Sequence, residues 1–356
     1  MKRGPPAVTL VQRDMNARVR PGLATACILL MLWTILACRA QTPADVYRGK
    51  SVELDIGFSV GGAYDAYARM LARHMSKYIP GNPTIVPKNV EGAGSMRLAN
   101  YLYNAAPHDG TVIGTISRGT VFEPLLGNNG AQFDPTKFNW IGSTNKEVSV
   151  CVSWYTSGVA TVAEARTRVL VMGASGPSAD SYQAAKISNA VLGTKFKIVS
   201  GYPGGNDIDM AIERGELQGR CGWSWTSLKA LHPMWLEQHK LNILFQTGLS
   251  KHPDLPDVPL AVDLAKSDQE RAILRLIFAR QVMAWPYLTP PGVPADRIEA
   301  LRKAFDDTMR DADFLAETEK SRLEITPVTG ADVEKLVQEV YATPPATVQK
   351  ATALLQ

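Results

Sequence analysis

The chain has 356 residues, of which 45% are hydrophobic and 20% are charged, a composition typical of a soluble globular protein with more than one domain. Its formal charge of +4 comes from residues 1–40, which hold six basic residues and one acidic residue. The other 32 basic and 33 acidic residues give a net charge of −1, which argues against nucleic acid as a partner.

The first 40 residues predict a secretory signal peptide. A basic stretch precedes the apolar run from Gly22 to Ala37, which is short for a membrane span of about 20 residues. The small residues Cys38 and Ala40 then stand where a signal peptidase prefers them. We therefore expect cleavage after Ala40 and a periplasmic protein. Lipidation of Cys38 is the alternative, which the bulky Leu36 disfavours.

Two cysteines, Cys151 and Cys221, remain after that cleavage. They can form a disulfide in an oxidising compartment, where an even number of cysteines is typical of paired thiols. Both stand in strand-like runs, which favours two buried thiols instead. The sequence leaves the pairing open.

From Ser51 the chain alternates strands, loops and helices, and each predicted strand ends in a loop rich in glycine or hydroxyl residues. Such alternation indicates α/β domains with largely parallel sheets. Asn206 is the expected N-cap of the helix that follows it. Predicted strands cover 51–59, 84–90, 111–117, 168–173 and 195–200, and predicted helices cover 64–78, 96–104, 182–192, 207–214, 297–310, 312–322 and 331–341.

Most catalytic and cofactor chemistries lack their residues in this sequence. The glycine clusters carry neither the Lys-Ser/Thr of a P-loop nor the GxGxxG of a dinucleotide site. Ser175 resembles the nucleophile of a GxSxG elbow, but Pro177 stands where glycine is required. The five histidines form no HxxxH or HExxH pair, and no Cys-x-x-Cys is present. We therefore expect no metal, no cofactor and no catalytic residue.

The first glycine-rich loop points to a carboxylate ligand. The backbone of Gly61, Gly62 and Ala63 can approach a ligand closely, and the helix from Tyr64 directs the positive end of its dipole to the same place. A carboxylate is small, planar and accepts several N–H donors. Asp65 is expected to shape the loop by accepting N–H bonds. The aromatic residues that could surround the ligand are Tyr64, Tyr202, Trp223 and Trp225.

Four segments carry a resemblance to a known family: GFSVGGAYDAYARMLARHM, IVPKNVEGAGSMRLANYLYNAAPHDGTVIGTIS, GYPGGNDIDMAIERGEL and LTPPGVPADRIEALRKAF. In this order they resemble the extracytoplasmic solute receptors of tripartite tricarboxylate transporters, the Bug or TctC type. The resemblance covers residues 46–354. It implies an α/β type II periplasmic-binding-protein fold with two lobes and a ligand cleft between them.

The resemblance also implies how the lobes and the function are organised. We expect lobe 1 from 41–150 and 286–356, lobe 2 from 151–285, and hinge crossings near 150–153 and 283–287. The implied function is capture of an organic carboxylate, a di- or tricarboxylate or an aromatic acid, for membrane permease subunits. A monomer is expected. An enzyme on the same fold and a sensor for a membrane kinase are the alternatives.

Carried onto this sequence, the resemblance places one carboxylate of the ligand between loops of the first lobe and gives the distal end to loops of the second. Ser59 and Val60 replace the proline with which the family's first loop usually opens. Glu91 adds a negative charge beside the site, which argues against a ligand as charged as citrate, and Arg118 is expected to counter it. The predicted ligand-binding residues are Ser59, Val60, Gly61, Gly62, Ala63, Tyr64, Asp65, Gly92, Ala93, Gly94, Ser95, Ser117, Arg118, Thr120, Ser175, Ser178, Asp180, Tyr202, Gly204 and Asn206.

Overall fold

The computed structural model describes residues 42–355, together with Met1 and Gly4. Most of the predicted signal peptide, including its cleavage site and Cys38, therefore lies outside the described residues. Within the described part of the chain, no helix combines the length and the apolar character needed to cross a bilayer.

The chain folds into two mixed sheets flanked by helices. The strands are β1 (Ser51–Ile56), β2 (Thr84–Asn89), β3 (Val112–Thr115), β4 (Asn139–Ser143), β5 (Ser149–Trp154), β6 (Val169–Ala174), β7 (Lys195–Ser200), β8 (Gly219–Ser224), β9 (Leu241–Thr247), β10 (Pro286–Thr289) and β11 (Val328–Thr329). The helices are α1 (Pro43–Tyr47), α2 (Ala63–Met75), α3 (Met96–Asn104), α4 (Val162–Ala165), α5 (Asp180–Leu192), α6 (Gly205–Glu213), α7 (Trp225–Leu231), α8 (Pro233–Glu237), α9 (Asp268–Phe278), α10 (Ala295–Thr308), α11 (Ala312–Lys320), α12 (Gly330–Tyr341) and α13 (Pro345–Leu355).

The first sheet has the strand order β11-β4-β10-β3-β1-β2, and the second has the order β7-β6-β8-β5-β9. In the first sheet β1 runs parallel to both β2 and β3, and in the second β6 runs parallel to both β7 and β8. We call each sheet, with the helices and loops packed on it, the first and the second lobe. This mixed α/β architecture confirms the predicted fold class.

Residues at the predicted spacing form the core around β1 and α2. Val52, Leu54 and Ile56 of β1 are buried, as their alternation predicts. Tyr67 and Leu71 of α2, four residues apart, are also buried and pack in the same cluster. Because α2 is held against β1 in this way, its N-terminus is fixed at the end of the strand, where the glycine loop begins.

The connections between the lobes differ in part from the prediction. The predicted crossing at 150–153 lies inside β5, and the chain passes from β4 to β5 through residues 144–148. The predicted crossing at 283–287 overlaps the return to the first sheet at Pro286. Helix α13, which lies in the range 286–356 predicted for the first lobe, packs against α5 and α9.

The two cysteines whose pairing the sequence left open form a disulfide. Cys151 on β5 and Cys221 on β8 are bonded, and both are fully buried. The bond joins neighbouring antiparallel strands of the second sheet. It therefore ties β8, the central strand of the second sheet, to its neighbour β5.

Candidate functional site

A cavity of about 70 Å³ lies between the two lobes. A buried water needs roughly 10–15 Å³ by this kind of measure, so the cavity has room for more than one water. The first lobe and the segment before β10 contribute the lining residues Phe58, Gly62, Ala63, Tyr64, Ser117, Arg118 and Trp285. The second lobe contributes Ser175, Ala179, Asp180, Ser181, Gly205, Asn206, Ile208, Asp209, Arg220, Gly222, Trp223, Ser224, Ser227 and Leu231.

Three helices of at least nine residues begin at this cavity without a side-chain cap. Their N-cap residues are Gly62 for α2, Ala179 for α5 and Gly204 for α6, and among the described residues none of the three makes a side-chain capping bond. The shorter α7 also begins there and is capped by Ser224. Elsewhere, side-chain oxygens cap helices at Thr161, Ser267, Asp311 and Thr329, whereas α3 and α10 also begin without a side-chain cap.

Uncapped helix N-termini suit an anion for two reasons. The first N–H groups of a helix have no partner within the helix, and the dipole adds about half a positive charge at that end. Gly62, with no side chain beyond a hydrogen, leaves the backbone at the start of α2 open to close approach. The cavity therefore offers N–H donors and positive potential from both lobes at once.

Arg118 brings a buried guanidinium to the cavity from the loop after β3. Its Nη2 donates to Asp180 Oδ2 over 2.9 Å and to Ser149 Oγ over 2.7 Å. The Arg118 residue is 2% exposed. Desolvation opposes its charge, but Asp180, Tyr64 and Glu147 outweigh that effect and raise the pKa of Arg118 above its ordinary value. Within the described residues, its Nη1 has no hydrogen-bond partner.

Tyr64 supports Arg118 from the first turn of α2. Its hydroxyl oxygen accepts a hydrogen bond from the backbone N–H of Arg118 over 3.1 Å. Its ring stacks on Phe58 with centroids 4.5 Å apart and meets Trp285 edge-on at 4.6 Å. Desolvation raises the pKa of the phenol, which therefore stays neutral at physiological pH. These three rings form an apolar surface beside the Arg118 guanidinium.

Arg220 brings a second guanidinium from β8 of the second lobe. Its Nη1 donates to Asp209 Oδ1 over 2.7 Å and to the carbonyl oxygen of Gly205 over 3.0 Å. The guanidinium carbon lies 4.5 Å from the centre of the Trp223 ring, at cation–π distance. Arg220 is 8% exposed, so this charge, like that of Arg118, is largely removed from solvent.

Loops of the two lobes are in direct contact at the edge of the cavity. The hydroxyl oxygen of Ser59 lies 2.7 Å from Asp207 Oδ2 and 3.0 Å from Asn206 Oδ1, and its proton can be donated to either. Asn206 Nδ2 donates in turn to the carbonyl oxygen of Val60 over 3.0 Å. We call these bonds the Ser59 contact. They show the lobes in a closed arrangement.

Two glycines make this closed arrangement sterically possible. A Cβ atom on Gly204 would lie 2.1 Å from Ser59 Oγ. Gly94 has φ of +66°, and a Cβ atom there would lie 2.8 Å from both Ser178 Oγ and the backbone nitrogen of Ala179. Ser178 Oγ also donates to the carbonyl oxygen of Ala93 over 2.5 Å. Side chains at these two glycines would hold the lobes apart.

The predicted ligand-binding residues divide into two groups. Those that line the cavity are Gly62, Ala63, Tyr64, Ser117, Arg118, Ser175, Asp180 and Asn206. The others lie outside its lining: Ser59, Val60, Gly61, Asp65, Gly92, Ala93, Gly94, Ser95, Thr120, Ser178, Tyr202 and Gly204.

Several residues of the second group support the loops instead of facing the cavity. Asp65 Oδ2 accepts the N–H of Gly61 over 3.0 Å, as the sequence suggested for this carboxylate. Ser95 Oγ accepts the N–H of Ser117 over 2.6 Å and lies 3.2 Å from Thr120 Oγ1. Gly92 and Tyr202 line a separate groove that shares Ser175 with the cavity. Direct ligand contact by these residues stays a prediction.

Asn206 corrects one local prediction. Helix α6 begins at Gly205 with Gly204 as its N-cap, so Asn206 does not cap it. Its side-chain amide is used in the Ser59 contact, which involves residues about 146 positions earlier in the chain. Local sequence cannot reveal a partner at that separation.

Sequence reasoning missed most of the side chains of the second lobe that face the cavity, including Arg220 and Asp209. The available signal was a single arginine inside the otherwise uncharged strand Gly219–Ser224. A charged residue at a buried strand position needs a partner, because an isolated buried charge is costly. Trp223 was considered as a possible wall, and it lines the cavity.

A potential metal cluster lies outside the cavity lining. Ligand atoms of His252, Asp254 and Glu324 lie within 4.8 Å of one another. Lys229 Nζ lies 2.6 Å from Asp254 Oδ2 and 2.5 Å from Glu324 Oε1. The ammonium group thus supplies the positive charge that a metal ion would bring.

Comparison with known proteins gives one relative among curated sequences and several solved structures. No family model matches the chain. A Cupriavidus necator protein described as "UPF0065 protein in gbd 5'region" is 24% identical over 304 residues, which cover 82% of this chain and 83% of that protein.

The similar solved structures are periplasmic binding proteins. BugD has a TM-score of 0.70 at 19% identity, and the match covers 86% of this chain and 98% of the BugD chain. MatC from Rhodopseudomonas palustris, solved with bound malate, has a TM-score of 0.68 at 19% identity and covers 86% and 99%. An R. palustris protein solved with adipate, Rpa4515, has a TM-score of 0.67 at 17% identity and covers 86% and 98%. The chain therefore has the two-lobed fold of the Bug and TctC type, and the resemblance noted in its sequence is confirmed at the level of the fold.

Proposed function

We propose that the chain is an exported solute-binding receptor that captures an organic carboxylate between its lobes and delivers it to the permease subunits of a tripartite tricarboxylate transporter. The observation that carries this proposal is the meeting of three uncapped helix N-termini, α2, α5 and α6, at one cavity together with the buried Arg118. This arrangement provides several N–H donors, positive potential and a positive charge for one small anion.

The relatives support a carboxylate as that anion. Two solved structures with the same fold hold malate and adipate, which are both dicarboxylates. At 17–19% identity their ligands do not transfer by homology alone. The N–H donors and Arg118 supply an independent chemical reason for the same class of ligand.

The charges around the cavity favour binding over catalysis. Burial raises the pKa of Glu123 and of Glu147, the kind of shift that often marks a catalytic acid, but neither residue lines the cavity. The two carboxylates that do line it, Asp180 and Asp209, are paired with Arg118 and Arg220. A carboxylate held in a buried ion pair is a poor general base, because taking up a proton would leave its arginine without a partner.

Closure links binding to delivery. A ligand that contacts both lobes stabilises the closed arrangement, because it gains its full set of contacts in that state. A permease that docks on a surface formed by both lobes would then distinguish loaded from unloaded receptor. A monomer in the periplasm, cut from its leader after Ala40, is sufficient for this role.

The experiment that tests the proposal is a thermal-shift screen of residues 41–356 against mono-, di- and tricarboxylates, with the corresponding amides as uncharged controls. A ligand at about 100 times its dissociation constant adds about 2.7 kcal/mol to the free energy of unfolding, which raises the midpoint by several degrees. We expect saturable stabilisation by at least one carboxylate and a much smaller effect of its full amide. Stabilisation by none of them, in a folded and ligand-free preparation, would contradict the proposal.

A further inference from the structure

Each lobe presents one buried guanidinium to the cavity. Arg118 belongs to the first lobe and Arg220 to the second, and both are more than nine-tenths buried. Each arginine forms an ion pair with an aspartate on a helix that begins at the cavity: Arg118 with Asp180 of α5, and Arg220 with Asp209 of α6. Two such cations on opposite lobes suggest that the ligand is gripped at both ends.

Arg220 is held in place by a set of contacts that leaves its charge directed at the cavity. Asp209 Oδ1 accepts a hydrogen bond from Arg220 Nη1, and Asp209 Oδ2 lies 2.9 Å from His232 Nε2. Trp223 covers one face of the guanidinium. At Gly205 a Cβ atom would lie 3.1 Å from Arg220 Nη1 and 3.2 Å from Nη2, so glycine leaves space for the guanidinium. Arg220 is thus oriented in advance of binding.

Donors of both arginines remain unused. Among the described residues, Arg118 Nη1 and Arg220 Nε are buried without a hydrogen-bond partner. A buried donor without a partner costs about 1–3 kcal/mol, and more when it belongs to a charged group. An acceptor on the ligand at each end would remove both costs.

The charges around the cavity leave it with a positive potential. The Arg118–Asp180 and Arg220–Asp209 pairs are each neutral overall. The three uncapped helix N-termini add about half a positive charge each, a total of about +1.5, and Asp207 in the first turn of α6 offsets part of it. The two guanidinium groups stand on opposite walls, so an anionic group at each end of the ligand meets a cation.

We propose that Arg220 is the specificity-determining residue for the distal end of the ligand and binds a second anionic group there, while α2 and Arg118 bind the first. The ligand class is then a short organic acid with an anionic group at each end. This inference rests on the proposed function, since it assigns the second end of a ligand whose first end is a carboxylate.

Calorimetric titrations test this role with succinate, glutarate and adipate, each compared with the monoamide of the same diacid. The wild-type chain from residue 41 is compared with Arg220→Gln, which keeps hydrogen-bond donors but removes the charge. The matched control is Arg214→Gln, because Arg214 is exposed at the end of α6 and pairs with Glu216.

We expect the wild type to bind at least one diacid roughly 10- to 100-fold more tightly than its monoamide, the range of a charge-assisted hydrogen bond. Arg220→Gln should lose that preference by weakening diacid binding alone, and Arg214→Gln should keep it. Equal weakening of diacid and monoamide in Arg220→Gln would show a merely structural role and overturn the inference. A wild type that binds a monoamide as tightly as the diacid would also overturn it, with the proposed function intact.

Two further results complete the test. If Arg220→Gln fails to fold because Asp209 is left as an unpaired buried charge, the double variant Asp209→Asn/Arg220→Gln removes both charges and is titrated in its place. It should show the same loss of preference, and retention of the preference would overturn the inference. A folded wild type that binds no diacid, monoamide or monocarboxylate would overturn the proposed function and this inference together.

Discussion

The two walls of the cavity, one from each lobe, both offer backbone donors but differ in their side chains. The first wall contributes the N-terminus of α2, the rings of Phe58, Tyr64 and Trp285, and one guanidinium from Arg118. The second wall contributes the N-termini of α5 and α6 and the side chains of Arg220 and Trp223 on β8. Backbone donors serve any carboxylate, whereas side chains can be exchanged without moving the main chain. On the proposed function, α2 and Arg118 bind the group that all ligands share, and the side chains of the second wall select among them.

The disulfide lies in the second sheet, whose strand β8 forms part of the second wall, and its removal should have the largest effect. Cys151→Ala/Cys221→Ala opens a cross-link between residues 70 positions apart, which is expected to lower the free energy of unfolding by about 4 kcal/mol. Urea unfolding of the oxidised wild type and of the double variant measures the difference. Reduced wild type should resemble the double variant. Equal midpoints for oxidised wild type and variant would show that the disulfide contributes nothing to stability.

Gly62→Asp tests the first wall. The new carboxylate would stand at the N-cap of α2 and repel a bound carboxylate, so affinity should fall about 100-fold or more. Aspartate is a favourable N-cap residue, so the melting temperature of the unliganded protein should not fall. The matched control is Gly62→Ala, whose Cβ would lie 3.6 Å from Asn206 Oδ1 at ordinary contact distance. Similar affinities for the two variants would remove Gly62 from the anion site.

Ser59→Ala tests the contact between the walls and should have the smallest effect. The variant loses the hydrogen bond from Ser59 to Asp207 or Asn206 and so weakens the closed arrangement. The dissociation constant should rise roughly fivefold to tenfold, mainly through faster dissociation. Stopped-flow measurements give the rates, with Ser250→Ala at an exposed position as control. An unchanged dissociation rate would mean that the Ser59 contact does not limit opening.

The first wall could be predicted from sequence because its signals are local. A strand pattern, a glycine pair and a helix pattern follow one another within residues 51–78, and the structure has β1, the loop and α2 there, with α2 ending at Met75. Gly62, Ala63 and Tyr64 were predicted site residues, and they line the cavity. Parallel strands bring their loops to one edge of a sheet, so position along the chain was sufficient here.

The second wall could be predicted only in part, because its geometry depends on pairing between distant strands. Strand β8, which carries Arg220, lies between β5 and β6, an order that no short segment specifies. Asn206 was assigned to its own helix, whereas it bonds to the other lobe. The disulfide stayed open for the same reason, since 70 residues separate its two cysteines.

The most direct test of the proposed binding mode is a crystal structure of residues 41–356 grown with a saturating concentration of a carboxylate that stabilises the chain in the thermal-shift screen. One carboxylate of the ligand should lie about 3 Å from the backbone nitrogens at the start of α2 and close to Arg118 Nη1, between closed lobes. A ligand found outside the cavity would contradict the account, as would a cavity that holds no carboxylate at the N-terminus of α2.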